Sequence, residues 1–109
     1  MQEVKGYHAH VYFDADTLDQ AATLCSEAGK TFPVTVGTIH RMPVGPHPRW
    51  SCQLAFEPER FGDIVPWLSF NRRGLTIFIH SLTGDDLKDH TDHAIWMGQK
   101  EELKLSVFS

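Results

Sequence analysis

Tyr7-His8-Ala9-His10-Val11-Tyr12-Phe13 (YHAHVYF) reads as a β-strand with two histidines on one side. Strand side chains alternate between faces with a period of two. Tyr7, Ala9, Val11 and Phe13 therefore share one face, apolar enough for a core. His8, His10 and Tyr12 share the other, which is polar and rich in imidazole.

Outward from this strand, DADTLDQAATLCSEAGKTF opens with acidic and hydroxyl residues suited to helix capping. Leu18, Ala21, Leu24 and Cys25 then form a helical apolar stripe, and Gly29 marks its expected end. VTVGTIH, from Val34, is β-branched and alternating and reads as a second strand. RMPVGPHPRW, with three prolines and a glycine, is a loop. WSCQLAFE is a third strand with Trp50, Cys52, Leu54 and Phe56 on one face. PERFGDIVPWLSFNRRG starts a helix at Pro58 and ends it at Gly74, with a kink or break expected at Pro66. LTIFIH is a fourth strand, its Leu75, Ile77 and Ile79 opposite Thr76, Phe78 and His80.

Strand, helix, strand, strand, helix, strand is the ferredoxin-like βαββαβ order. The expected class is α+β: one antiparallel sheet with two helices on one face. Within it the first and third strands are central and the fourth pairs antiparallel with the first. After a turn at Thr83-Gly84, DDLKDHTDHAIWMG reads as short helix or irregular chain. LKLSVF reads as a fifth strand or a partner-binding tail.

No repeat, linker or low-complexity tract divides the 109 residues, so one domain over 1–109 is expected. A 41% hydrophobic and 22% charged composition is that of an ordinary globular chain. The net charge of -4 excludes a general binder of nucleic-acid backbones and gives no support to an anionic membrane partner. No apolar run approaches the ~20 residues of a membrane span. MQEVKGYHAH lacks the apolar segment of a signal peptide, so a cytoplasmic location is expected. Cys25 and Cys52 form no CxxC unit and read as buried thiols.

Seven histidines in so short a chain direct attention to the polar face. Antiparallel pairing of the fourth strand with the first brings His80 beside His8. His8 and His10 lie about 7 Å apart along the strand. Neutral imidazoles so gathered suit zinc, iron, copper or nickel rather than magnesium or calcium. Surface histidines, or polar contacts in a dimer interface, are the alternative. His47, between two prolines in GPHP, is a rigidly presented ring: a ligand, an acid/base group or an exposed turn residue. His90 and His93 in HTDH stand three apart, a helical spacing able to bind metal, with a solvated helix face as the other reading of His90. Asp85, Asp86, Asp89 and Asp92 read as capping and solvent-facing. Asp85 follows His80 closely enough to line the same pocket. Trp96 and Met97 read as a lid or a core contact.

Taken together, YHAHVYF, IHRMPVGPHPRW, QLAFEPERFGDIVPWL and IHSLTGDDLKDHTDHAIWMG resemble the DOPA 4,5-dioxygenase family along nearly the whole chain. The resemblance implies a ferredoxin-like homodimer that cleaves the ring of L-DOPA, or of another catechol, beside the diol, using O2 and non-haem iron(II). Carried over residue by residue, it implies a metal held by His8, His10 and His80, with zinc as another possible occupant. His47 then binds the metal or moves a proton. In the mechanism that follows, Tyr12 hydrogen-bonds the substrate or superoxide and Phe78 stacks on the substrate ring, packing against a second subunit being the alternative for both. Asp85 lines the pocket. Ser81 departs from the family's expected proline, which alters the rigidity of the turn. A common non-haem iron arrangement uses two histidines and a carboxylate, yet no carboxylate stands on this face. Two other readings use the same face: a non-catalytic ferredoxin-like dimer that binds a small ligand, and a zinc- or nickel-dependent hydrolase or isomerase.

Overall fold

The computed structural model describes residues 3–109. Five strands form one sheet: β1 (Tyr7–Phe13), β2 (Thr35–His40), β3 (Trp50–Phe56), β4 (Ile77–Ser81) and β5 (Ile95–Met97). Their order is β2-β3-β1-β4-β5, and every neighbouring pair is antiparallel. The expected central pair and the β1–β4 pairing are both present.

Register decides the faces. Ala9 lies opposite Leu54 and Ile79, and Val11 opposite Cys52 and Ile77. These residues join Ala21, Leu24, Cys25 and Ala28 of α1 (Leu18–Thr31) and Ile64 and Leu68 of α2 (Phe61–Asn71) in one buried core. Both helices thus cover the same side. His8 lies opposite His80 and Ala55, and His10 opposite Phe78 and Gln53, which leaves the imidazoles on the side without α1 and α2. Cys25 and Cys52 are buried free thiols. Among the described residues, no helix is long and apolar enough to cross a membrane.

Three local expectations change. α1 does not stop at Gly29 but runs on to Thr31. Glycine serves close packing there, since an added Cβ would lie 2.8 Å from Val36 Cγ2. Pro58–Arg60 forms a separate 3-10 turn, and α2 then passes through Pro66 without a break. Pro66 removes one N–H from the helical ladder, and burial of Ile64 and Leu68 on either side holds the helix regardless. α2 ends before Arg73 and Gly74, whose φ values of 51° and 82° reverse the chain.

The last third differs most. A single-turn helix, α3 (Asp86–Asp89), precedes the fifth strand, which is Ile95–Met97 rather than LKLSVF. Leu105–Phe108 is a 3-10 turn, and the segment before it docks through the Lys104 N–H on the Pro46 carbonyl at 2.8 Å. β5 covers the β4 edge, pairing Ile77 with Met97 and Phe78 with Trp96. Met97 packs on the core, and Trp96 faces the histidine side.

Gly29→Ala weighs two effects. Helix propensity favours alanine by about 1 kcal/mol, whereas forcing a methyl against Val36 costs about 1–3 kcal/mol. A net loss of roughly 1 kcal/mol is expected in denaturant unfolding. In a Val36→Ala background the same change should instead stabilise the protein.

Candidate metal centre

Regular β pairing aims three imidazoles from two adjacent strands at one point. Ring nitrogens of His8, His10 and His80 all lie within 4.8 Å of one another. His10 Nε2 and His80 Nε2 are 3.0 Å apart. His80 donates its Nδ1 hydrogen to the Ser81 carbonyl at 2.9 Å, which leaves the Nε2 lone pair turned to His10. Such a backbone partner fixes the tautomer of a metal-binding histidine.

Burial tunes these groups toward the same use. His10 and His80 are only 4% and 2% exposed, while His8 is half-buried. Burial is the main cause that holds His10 well below the ordinary value of 6.5, with the neighbouring imidazoles of His47, His80, His8 and His90 adding to it. His80 is lowered to about 4, chiefly by burial, against the opposing pull of its Ser81 hydrogen bond. His8 is lowered by burial and then by His90. At neutral pH the rings are therefore uncharged, the form that offers a lone pair to a cation. Three converging neutral nitrogens without a carboxylate fit a borderline divalent metal and do not fit magnesium or calcium.

His47, presented by the GPHP loop, is 6% exposed, and its ring lies tilted 4.0 Å from that of His10. Its Nδ1 lies 2.8 Å from the hydroxyl of Tyr12. Burial first, then His90, His40 and His8, lower His47 to about 4. Burial and the Glu101 carboxylate raise the Tyr12 phenol, against the pull of Arg49, so it stays protonated. The ring nitrogen and the hydroxyl can pass a hydrogen either way without moving a ring.

Phe78 and Asp85 stand differently. Phe78 is fully buried, with His10 stacked at 5.8 Å and Trp96 at 4.6 Å, so it forms the floor of the site. Asp85 stays exposed and caps α3 by accepting the Lys88 N–H at 3.1 Å. It is not brought to the imidazole group.

Two residues read as solvent-facing belong to the site's surroundings. The His90 ring lies tilted 4.1 Å from His80 and 4.4 Å from Phe108, and donates through Nδ1 to the Asp86 carbonyl at 2.7 Å. Asp89 is 1% exposed and accepts from the Ser81 hydroxyl, the Thr83 N–H and the Thr83 hydroxyl at 2.8–2.9 Å. His93 Nδ1 lies 3.1 Å from the same carboxylate. Burial alone would raise Asp89, but these bonds outweigh it and hold it at about 2. HTDH offered the spacing of two histidines on one helix face, but a single helical turn carries too little pattern to orient it.

The sequence model of the Dopa 4,5-dioxygenase family matches residues 7–107. The chain belongs to that family. Within the family, a DOPA 4,5-dioxygenase of Amanita muscaria is 29% identical over 95% of this chain and 50% of its own. An uncharacterized 21.2 kDa protein of Botryotinia fuckeliana is 33% identical over 93% of this chain and 62% of its own. The chain thus spans half to three-fifths of the length of these two relatives. A crystal structure of a candidate dioxygenase from Nostoc punctiforme superposes with a TM-score of 0.94 at 42% identity, over 95% of this chain and 90% of that one.

Proposed function

We propose that residues 1–109 form one ferredoxin-like domain, acting as a homodimer, that cleaves a catechol beside its diol with O2. His8, His10 and His80 hold a non-haem iron(II). What carries this reading is the convergence of three neutral imidazole nitrogens within 4.8 Å, in a chain of the Dopa 4,5-dioxygenase family. Bound iron(II) supplies the redox chemistry that lets O2 react with the diol.

The chain's own groups do the rest. His47, with its Nδ1 hydrogen donated to the Tyr12 oxygen, takes the catechol's second proton at Nε2. Tyr12, kept protonated by burial, in turn offers its hydroxyl to substrate oxygen. Phe78 backs His10 and Trp96, leaving the Trp96 ring as a surface for the catechol. Buried aromatic walls keep water from the opened ring. Both oxygen atoms enter the product, a ring-opened semialdehyde acid, so no outside reductant is needed.

The same donor set also suits zinc, which favours hydrolase or isomerase chemistry as the second reading. Anaerobic reconstitution with iron(II), followed by aerobic assay against L-DOPA, caffeic acid and other catechols, separates the two. Equimolar O2 uptake with a yellow ring-opened product is expected. Turnover by zinc-loaded protein without O2 would replace this reading with the second.

A further inference from the structure

The loop that carries His47, residues 41–49, joins β2 to β3 and holds three prolines. Pro46 and Pro48 stiffen the chain on either side of His47 but bring no N–H of their own, so the loop has few means of fastening itself to the sheet. Among the described residues, its backbone makes two hydrogen bonds outside the sheet ladders. One is internal, from the His47 N–H to the Val44 carbonyl at 3.1 Å. The other comes from the C-terminal segment, where the Lys104 N–H reaches the Pro46 carbonyl at 2.8 Å.

A second tie joins the same two stretches. Arg49 Nη1 donates to Glu101 Oε2 at 3.0 Å, and the two side chains are 32% and 20% exposed. On the loop, Pro46 and Arg49 stand three apart with His47 between them; on the segment, Glu101 and Lys104 stand three apart as well. Arg49 also lies 3.7 Å from Asp14, the residue that follows β1, two positions beyond Tyr12. The ties thus bracket both partners of the 2.8 Å contact between His47 Nδ1 and the Tyr12 hydroxyl.

Building on the dioxygenase reading, we propose that the C-terminal segment holds His47 against Tyr12, with Glu101 and Arg49 as positioning residues for the proton step. A proton passes only between groups within hydrogen-bond reach, about 2.6–3.2 Å. Misplacing such a group by about 1 Å can cost on the order of a hundredfold in rate. Neither Glu101 nor Arg49 is among the imidazole donors, so the metal does not depend on them. A partly exposed ion pair also contributes little to global stability. What the pair supplies is the placement of one ring.

Glu101→Ala in iron-loaded protein is expected to lower kcat about tenfold, with KM within about twofold and metal content unchanged. Glu101→Gln, whose side-chain carbonyl still accepts from Arg49, should keep kcat within about threefold of the parent. Both variants should melt within about 5 °C of the parent, which checks that they fold. In zinc-loaded protein with isotope-labelled histidine, the nuclear resonances of the His47 ring nitrogens read the Tyr12 contact without turnover. One fixed tautomer is expected in the parent and in Glu101→Gln, and an average of two in Glu101→Ala. A fixed His47 tautomer in Glu101→Ala overturns the inference. So does a raised KM at unchanged kcat, which would make Glu101 a substrate contact instead. Loss of the fixed tautomer in a protein whose parent cleaves no catechol would sink the dioxygenase reading and leave the hold on His47 standing.

Discussion

His10→Ala is expected to abolish tight metal binding and lower ring cleavage at least about a hundredfold, since loss of even an outer-shell partner costs 10–100-fold. His10 is central among the imidazoles. Its Nε2 is 3.0 Å from His80 Nε2, its ring is 4.0 Å from His47, and it lies 5.7 Å from His8. Removing it leaves His8 and His80, too few donors to hold a borderline metal against water. Metal analysis after dialysis reads the first effect directly and needs no substrate. His47→Ala gives the contrast: metal content should persist, while the rate falls by about 10²–10⁴ if a proton transfer is lost. His10→Ala protein that kept both its metal and its rate would remove His10 from the site.

The histidine pair of β1 was legible because a strand's period of two is rigid, and His80 followed because antiparallel pairing sets its neighbour. In the structure His8 does face His80 across the β1–β4 ladder. The core was legible for the same reason: Ala9, Val11, Leu54, Ile77 and Ile79 are all fully buried. Helix ends were less so. Gly29 looked like a stop, yet α1 runs two residues further, and the glycine there leaves room for Val36.

The region after His80 was least legible. β5 has three residues, too few to display a period, and α3 has four. What orients them is hydrogen bonding back to the preceding strand β4, through side chains and pairing that no local pattern announces. Asp89 read as one carboxylate among several in an acidic stretch; only its contacts with Ser81 and Thr83 distinguish it. Ser81, where proline was expected, supplies a hydroxyl to that carboxylate. Its departure thus has a structural use beyond turn rigidity.

Asp89→Ala should accordingly be among the most damaging changes outside the imidazole group. The carboxylate satisfies the Ser81 hydroxyl and both the N–H and the hydroxyl of Thr83. Truncation leaves the buried Ser81 hydroxyl and the half-buried Thr83 donors without this acceptor, at a cost of roughly 3 kcal/mol. For a domain of this size that lowers the melting temperature on the order of 15 °C. Asp89→Asn should cost less, about 1–2 kcal/mol, because its carbonyl can still accept from Thr83 N–H while its amide donates to the hydroxyls. The charge also sets a pH signature. Asp89 is lowered to about 2, so its contribution is fully present above the unfolded value near 3.8 and is lost as pH falls toward 2. His47 and His80 act over a different window. Both are lowered to about 4, so below 6.5 the unfolded chain binds more protons and stability falls until pH 4. Acid unfolding of metal-free protein should show the histidine loss first and the Asp89 loss below it, the latter missing in Asp89→Asn. Because Asp89 joins Ser81, next to His80, to the helix that leads into His90, Asp89→Ala should also weaken metal binding without removing a ligand. Unchanged stability and metal affinity in Asp89→Ala would mean that the β4–α3 junction is held by other contacts.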